Sequence, residues 1–234
     1  MKQIYKILTL LTCTTIFLYS TGFPPSYYKL NGKTQKKEFI NILKPLINES
    51  NKKTTQEREF IEIFFTQAIN SSFRDLKSSD LKTLLKISKK YRVKNLFDRD
   101  LYLKRIDEVP VNLALSQGAI ESAWGKSRFV REANNIFGHW TWGKIGLIPT
   151  GREEGKTHRI RIFNTLQDSV DAYVLNLNRH YAYKEFREFR QKKRENRQVI
   201  TSLEAADTMI NYSEQREKYV NMLHNVIKDN YLLY

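Results

Sequence analysis

Residues 117–128 read QGAIESAWGKSR, and they decide the fold because they end a helix that must be buried on two sides. Pro110 is suited to the start of this helix, since its fixed φ fits the first turn, and Gly125 is suited to its end. One face of the helix has small or apolar residues: Val111, Ala114, Leu115, Gly118, Ala119 and Ser122. The opposite face is apolar and has Leu113, Ile120 and Trp124. A helix with two apolar sides packs on both, so we expect other helices around it.

Glu121 is the only acid in this run, and it lacks a cation one helical turn away. The positions three and four residues distant, where a helical ion pair would form, hold Gln117, Gly118, Trp124 and Gly125. A carboxyl at the margin of an apolar region has its charged form disfavoured, so we expect a raised pKa. A general acid in glycoside cleavage needs that environment. The spacing also fits a helix-end Glu that contacts solvent or binds a distant Arg.

The rest of the chain is predicted to be mainly helical. Apolar stripes at three- and four-residue spacing run through residues 37–94. Thr165 with Asp168, and Thr201 with Glu204, have the spacing of capping boxes, and Ser213 is expected to cap the last helix. Residues 184–198 read as a basic, solvated helix face. The fold class is therefore mainly α, a helical bundle around the helix that carries Glu121.

Residues 133–163 differ in character, because glycine and aromatic residues are frequent there. Ile160 and Ile162 alternate with Arg159 and Arg161, which is typical of a short strand. We predict one small β-hairpin with its tip near residues 151–155.

The N-terminal residues resemble an export signal. Lys2 and Lys6 precede an apolar stretch that ends in small residues, so residues 1–22 are predicted to be a secretory signal peptide or an N-terminal anchor, with residues 4–22 as its membrane part. Residues 23–37 are polar, contain prolines and are interpreted as a linker. The only cysteine is Cys13, which excludes an intrachain disulfide. We expect an exported protein that works in the periplasm or cell envelope.

The charge balance favours an anionic partner. The chain has 40 Lys and Arg against 25 Asp and Glu, a net charge of +15, and such a field attracts polyanions. An AT-rich genome would produce a similar composition. No nucleic-acid motif is present, so we expect no nucleic-acid partner, and an envelope polymer or anionic envelope surface fits better. We expect a monomer.

Several stretches together resemble a known family. LSQGAIESAWGKSRF and NNIFGHW are similar to the signature of the bacterial peptidoglycan N-acetylglucosaminidases of glycoside hydrolase family 73, and within them to the Bax-like branch. GLIPTGREEGKTH, FNTLQDSVDAYVLNLNRHYAYKEFR and NYSEQREKYVNMLHNVIKDNY fit that branch as well. The resemblance implies a lysozyme-like helical fold over residues 38–234, with an N-terminal helical part at 38–108 and a catalytic core at 109–234.

The resemblance also implies roles for single residues. Glu121 falls where the family has its acid, and Tyr212 where a tyrosine faces the sugar beside the scissile bond. Glu154, or its neighbour Glu153, is the available second carboxylate in the hairpin; either also fits a solvated tip residue. The turn that lines the cleft carries Asn135, Phe137 and Gly138. The other expected substrate contacts are Gln117, in the same helix as Glu121, and Trp140 and Trp142, which alternate as on a strand and could stack on sugar faces. At least one of the two tryptophans, and Phe137, also fit a core role.

The implied activity is hydrolysis of β-linked N-acetylglucosaminyl bonds in the glycan strands of peptidoglycan. Glu121 would protonate the leaving oxygen, and Glu154 would act as base on water across about 6.5–9.5 Å; alternatively, the acetamido group of the substrate attacks. A lytic transglycosylase and a non-catalytic envelope-binding protein remain the rival classes. His139, His158, His180 and His224 lack metal-ligand spacing, so we expect no metal and no cofactor.

Overall fold

The protein is described by a computed structural model that covers residues 21–230. Residues 1–20, which contain nearly all of the predicted signal peptide or anchor, lie outside the described residues. Within 21–230, no helix is long and apolar enough to cross a bilayer.

Helices make up most of the described chain, with one small antiparallel strand pair, so the predicted mainly-α class is confirmed. In chain order the helices are α1 Gly32–Asn70, α2 Ser78–Tyr91, α3 Arg99–Arg105, α4 Val111–Ser122, α5 Arg128–Ala133, α6 Leu166–Arg179, α7 Lys184–Glu195, α8 Ser202–Asp207 and α9 Glu217–Asp229. Strands β1 Trp140–Thr141 and β2 Arg159–Ile160 lie between α5 and α6, and short 3₁₀ helices occupy Tyr27–Lys29 and Tyr181–Tyr183.

The predicted burial of α4 on two sides is confirmed. Every residue from 112 to 119 is buried, and the helix contacts α1, α8 and α9. Gly118 makes the approach of α1 possible, because a Cβ there would lie 2.9 Å from Leu43 Cδ2 and 3.3 Å from Ile136 Cγ2. The glycine of the QGAIES stretch is thus a packing residue that lets α1 lie directly on α4.

Two apolar cores are joined by α1, a helix about 58 Å long. The larger core surrounds α4 and includes Phe39, Leu43 and Ile47 from the first half of α1. The smaller core lies between the second half of α1, α2 and α3, and includes Phe65 and Tyr102. The start of the predicted N-terminal part, residues 39–47, therefore shares its core with α4.

The prediction of a linker at residues 23–37 is wrong. Phe23 and Tyr27 are fully buried in the larger core, the Tyr27 hydroxyl donates to the carbonyl of Trp124, and α1 already begins at Gly32. The polar residues and prolines of this segment are typical of a linker, and the two aromatic residues among them do not form a helical stripe. Part of their packing comes from the loop after α4, which is distant in sequence.

The predicted solvated face at residues 184–198 is also partly wrong. Arg187 and Arg190 of α7 are buried, and Arg190 donates to the carbonyls of Asp107 and Glu108 at 3.1 and 2.8 Å. The carboxylate of Asp107 lies within ion-pair distance of Arg58, Arg190 and Arg194. Sequence reasoning missed this cluster because each arginine faces an acid on another element.

Both capping boxes are confirmed, at Thr165 with Asp168 and at Thr201 with Glu204. Ser213 does not cap the last helix, which begins at Glu217 after Arg216. Pro110 is the residue before the first turn of α4 rather than its first helical residue, and α4 ends at Ser122, three residues before the predicted Gly125.

Candidate active site

Glu121 lies in the last turn of α4 and is half-buried. Burial raises the pKa of its carboxyl above the ordinary value for glutamate, and a hydrogen bond from the Tyr219 hydroxyl opposes that rise. No cation is among the groups that act on this pKa in the described part of the chain. The carboxyl is therefore partly desolvated and held by a neutral donor.

A sharp turn directly after Glu121 ends α4. Ala123, Trp124 and Gly125 all have left-handed backbone, with φ of 49°, 56° and 77°, a conformation that costs energy for residues with a Cβ. The Ser122 hydroxyl stabilises the turn by donating to Gly118 O at 2.5 Å and accepting from Gly125 N at 2.7 Å. The Glu-Ser pair thus places the acid at a helix end whose position is fixed by its own neighbour.

A cluster of tyrosines, Tyr173, Tyr183, Tyr212 and Tyr219, surrounds the carboxyl of Glu121, and we call it the tyrosine cluster. Gln117 joins two of them, because Tyr173 donates to its Oε1 at 2.7 Å and its Nε2 donates to the Tyr219 hydroxyl at 3.2 Å. Tyr212 stacks on Tyr219 with 5.4 Å between ring centroids and 7° between planes, and its ring is 5.6 Å from that of Tyr183.

The tyrosine cluster remains protonated at neutral pH. Burial, followed by the charge of Glu121, raises the pKa of Tyr183 to about 12 and that of Tyr219 further still. A protonated Tyr219 donates a hydrogen bond to the carboxylate of Glu121 and accepts one from Gln117. Tyr219 therefore stabilises a negative charge on Glu121 without supplying a positive one.

The turn at residues 134–138 borders the other side of Glu121. A Cβ on residue 138 would lie 3.7 Å from Glu121 Oε2, so Gly138 leaves that side of the carboxyl open. Asn135 fixes this turn: its Nδ2 donates to the carbonyls of His139 and Arg161 at 2.9 and 2.8 Å, and its Oδ1 accepts from His139 N at 2.9 Å.

The hairpin beyond this turn has an exposed aromatic face. Trp140 pairs with Ile160 in the two-residue ladder, and its ring stacks on His158 at 4.4 Å. Trp140 and Trp142 are 55% and 73% exposed, so neither is in the core. Flat, exposed indoles of this kind can cover the faces of sugar rings.

The two hairpin acids lie at the exposed tip. Glu153 approaches Lys156 at 3.9 Å, both acids are exposed, and neither is among the groups that act on the pKa of Glu121. The structure therefore brings Glu121, Gly138 and Tyr212 together but leaves the candidate second carboxylates apart from them.

The family model of the glucosaminidases, described as mannosyl-glycoprotein endo-beta-N-acetylglucosaminidase, matches residues 101–232, from α3 to the end of the last helix. The chain belongs to this glucosaminidase family.

A curated relative agrees with that membership. Protein bax of Escherichia coli (strain K12) is 30% identical over 218 residues, which cover 90% of this chain and 75% of that protein. Among solved structures, the catalytic domain of the autolysin Auto from Listeria monocytogenes aligns with a TM-score of 0.37 and 17% identity, over 72% of this chain and 95% of that chain. Membership of the glucosaminidase family makes this an enzyme of the glycoside hydrolase type.

Three residues that were expected to bind substrate in this glucosaminidase are buried instead. Gln117 is fully buried between Tyr173 and Tyr219, so it orients the tyrosines and cannot reach a sugar. Phe137 is also buried and stacks on Tyr173 at 3.9 Å. Asn135 is buried and uses both ends of its amide to hold the turn. All three support the site from beneath.

Sequence reasoning missed Tyr173, Tyr183 and Tyr219. Tyr219 has the helical spacing of Leu223 and Ile227, so the local pattern alone assigns it to an apolar stripe. The sequence does indicate that the hydroxyl of Tyr219 has a hydrogen-bond partner, because a tyrosine within a buried stripe needs one. It does not indicate which residue that partner is, since Glu121 is 98 positions earlier in the chain. Within residues 21–230, no three His, Cys, Asp or Glu side chains are grouped so as to bind a metal ion.

Proposed function

We propose that this chain hydrolyses β-linked N-acetylglucosaminyl bonds in the glycan strands of peptidoglycan, with Glu121 as the general acid. The observation that carries the proposal is the carboxyl of Glu121, which burial keeps protonated to higher pH while Gly138 leaves one side of it open. Family membership supports the bond type. The net charge of +15 and the export-like N-terminus support an anionic envelope polymer as the substrate.

The first chemical step is proton donation from Glu121 to the departing sugar oxygen. As the proton leaves, a negative charge develops on the carboxylate. Tyr219 already donates to that carboxylate and is held in place by Gln117. A donor that is positioned before the reaction stabilises the new charge without reorganisation.

The second step needs a nucleophile at the anomeric carbon. In one route Glu154 acts as base on water, which requires a carboxyl separation of about 6.5–9.5 Å and gives inversion. Since both hairpin acids are exposed at the tip, that route needs the hairpin to fold over the bound glycan. In the other route the acetamido oxygen of the substrate attacks, and Glu154 or Glu153 only assists.

The remaining expected contacts fit sugar binding. Trp140 and Trp142 have exposed rings. The ring of Tyr212 stacks on that of Tyr219, whose hydroxyl contacts Glu121. We propose that the tryptophans bind the sugars along the strand and that Tyr212 faces the sugar beside the scissile bond.

The decisive experiment incubates peptidoglycan with the protein and with Glu121→Gln, followed by analysis of the new reducing ends. We expect N-acetylglucosamine ends from the wild type and a loss of at least about 10²–10⁴-fold in the variant, the usual effect of removing a general acid. Glu49→Gln is the matched control, because Glu49 is exposed on α1.

Other outcomes would point elsewhere. An anhydro-sugar product would identify a lytic transglycosylase, whose chemistry also suits a site with one acid beside the sugar. Equal binding by both proteins with no release of product would identify a non-catalytic envelope-binding protein.

We also propose that the protein is exported and acts in the periplasm or at the cell envelope, either free after cleavage or anchored by residues 4–22. The basis is the charged start and apolar stretch of residues 1–22. Fractionation of cells, with mass spectrometry of the N-terminus, distinguishes the free from the anchored form, and recovery in the cytoplasm alone would contradict export.

A further inference from the structure

A cavity of about 520 Å³ lies on the side of the hairpin where α1, α2 and α6 meet it. Its Lys and Arg side chains come from four places in the chain: Lys53 from α1, Lys90 from α2, Arg179 from α6 and Arg161 from just after β2. The proposed reaction at Glu121 uses none of them. The cavity has no assigned role in the hydrolysis of the glycan strand.

The charges in this cavity are only partly balanced. Lys53 pairs with Asp171 at 2.8 Å, and Lys90 pairs with Glu57 at 2.7 Å. The other lining acid, Asp168, accepts from Thr165 N in its capping box.

The two arginines have no such partner. Among the described residues, neither Arg161 nor Arg179 has a carboxylate within ion-pair distance; Arg161 lies over the ring of Phe163 at 4.5 Å, and Arg179 donates to Lys90 O at 3.0 Å. Two guanidinium groups, that of the half-buried Arg179 and that of the exposed Arg161, therefore line the cavity without an ion pair.

Burial and neighbouring arginine charges act together on two groups that line the cavity. Burial, then the charges of Arg92 and Arg161, lowers the pKa of Arg179. Burial, then Arg161, lowers the pKa of His139 to about 4, so its ring is neutral at pH 7. The His139 Nδ1 is buried and has no hydrogen-bond partner among the described residues. An unpartnered buried polar atom is costly, and a bound ligand would satisfy it.

We propose that this cavity binds a carboxylate of the peptide stems that peptidoglycan carries on its glycan strands. The inference rests on the proposed function and adds a second contact with the same substrate. Arg161 and Arg179 would hold the carboxylate through charge-assisted hydrogen bonds, for which the planar guanidinium is well suited. His139 would supply one further hydrogen bond at the cavity wall.

The position of the cavity relative to the glycan contacts supports stems over other anions. In an antiparallel pair, directly opposite residues share a face and successive residues alternate. Arg161 N donates to His139 O at 2.9 Å, so His139 and Arg161 face one side, while Trp140, paired with Ile160, faces the other. An extended stem of four residues spans about 13 Å, which is enough to pass from the tryptophan face around a two-stranded ribbon.

The test uses Glu121→Gln as the background, so that the polymer stays intact during binding. Co-sedimentation measures its affinity for peptidoglycan with stems, and for the same material after an amidase has removed them. We expect the protein to bind the polymer with stems about tenfold more tightly. Adding Arg179→Gln should reduce that ratio to near one, Arg179→Lys should restore part of it, and Lys82→Gln, an exposed basic residue of α2, should leave it unchanged.

Several results would overturn the proposal. An equal affinity of the background protein for both polymers would do so, as would an equal loss of affinity for both polymers in Arg179→Gln. Competition by inorganic phosphate but not by a stem tetrapeptide would assign the cavity to phosphate instead. Failure of the proposed function is separate, because it would appear as no hydrolysis by the wild type whatever the binding ratio.

Discussion

At the scale of single residues, the carboxyl of Glu121 is subject to two opposing influences. Burial raises its pKa, and the Tyr219 hydroxyl lowers it by donating to the charged form. A general acid needs both, because it must hold a proton before the reaction and release it during the reaction. The tyrosine cluster adjusts this balance without an ion pair, which would fix Glu121 in its charged form.

Tyr219→Phe tests this balance. Loss of the hydroxyl removes a hydrogen bond to the carboxylate, so the pKa of Glu121 rises and the alkaline limb of the kcat/KM profile moves to higher pH. We expect kcat to fall about tenfold, in line with the ~1.5–3 kcal/mol of a hydrogen bond to a charged group. The control is Tyr181→Phe, since Tyr181 is exposed. A fall in kcat with an unmoved pH profile would contradict the role.

Glu121→Gln should also stabilise the fold. Because the pKa of Glu121 is higher in the folded than in the unfolded state, ionisation disfavours folding; the penalty is absent below the unfolded pKa and complete above the folded one. We expect the variant to melt roughly 2–4 °C higher at pH 7, and the difference to vanish near pH 4. Thermal unfolding at several pH values measures it, and a gain that does not depend on pH would argue against a buried charge.

At the scale of elements, the end of α4 depends on the segment before α1. Phe23 packs against Gly125 so closely that a Cβ on residue 125 would lie 2.2 Å from its ring. Gly22 N donates to Asn134 Oδ1 at 2.7 Å, and Tyr27 binds the carbonyl of Trp124. The N-terminal segment therefore supports the turn that positions Glu121.

Gly125→Ala and Gly155→Ala separate two reasons for a glycine: a left-handed backbone and a lack of space for a Cβ. Both positions have left-handed backbone, with φ of 77° and 81°, but nothing lies within 4 Å of a Cβ at residue 155. We expect about 1 kcal/mol of destabilisation for Gly155→Ala, from the backbone alone. Gly125→Ala should cost about 2–4 kcal/mol, because the clash with Phe23 is added. Denaturant unfolding compares them, and equal losses would show that Phe23 moves aside freely.

At the scale of the whole molecule, Asp107 connects distant parts of the chain. Its carboxylate faces Arg58 of α1 and both Arg190 and Arg194 of α7. Burial alone would raise the pKa of Asp107, but these arginines outweigh it and hold the pKa below its usual value. Asp107 lies between Ile106 of the smaller core and Val109 of the larger core, so its ion pairs help to hold the α2–α3 region on the core around α4.

Asp107→Asn should destabilise the protein by about 3–5 kcal/mol, because it leaves buried arginines without an anion. The lowered pKa also sets a pH window for the stability that the ionised Asp107 carboxylate contributes. This stability is fully present above the unfolded pKa of about 3.9, and it is lost as the pH falls through the folded pKa. Urea unfolding between pH 7 and pH 3 should therefore show the two proteins converging in acid. The control, Asp100→Asn, removes an exposed acid beside Arg99 and should cost less than about 0.5 kcal/mol.

The sequence by itself determined what local pattern and chemistry can specify. The apolar residues on both sides of α4 required its burial, the capping boxes at Thr165 and Thr201 set helix starts, and the absence of a cation near Glu121 indicated a raised pKa. These features depend on residues a few positions apart, where helical geometry fixes the neighbours.

Only the tertiary structure decided the partners that come from far along the chain. Tyr219 at Glu121, Phe23 at Gly125 and the arginines at Asp107 each join elements separated by many tens of residues, and no local period records such a pairing. The same limit explains the errors: the polar segment 23–37 contains two core aromatics, and the basic run 184–198 contains Arg190, buried beside Asp107, and Arg187, buried against the carbonyls of Leu177 and His180. Long-range packing makes a site from residues whose spacing in the sequence carries no signal.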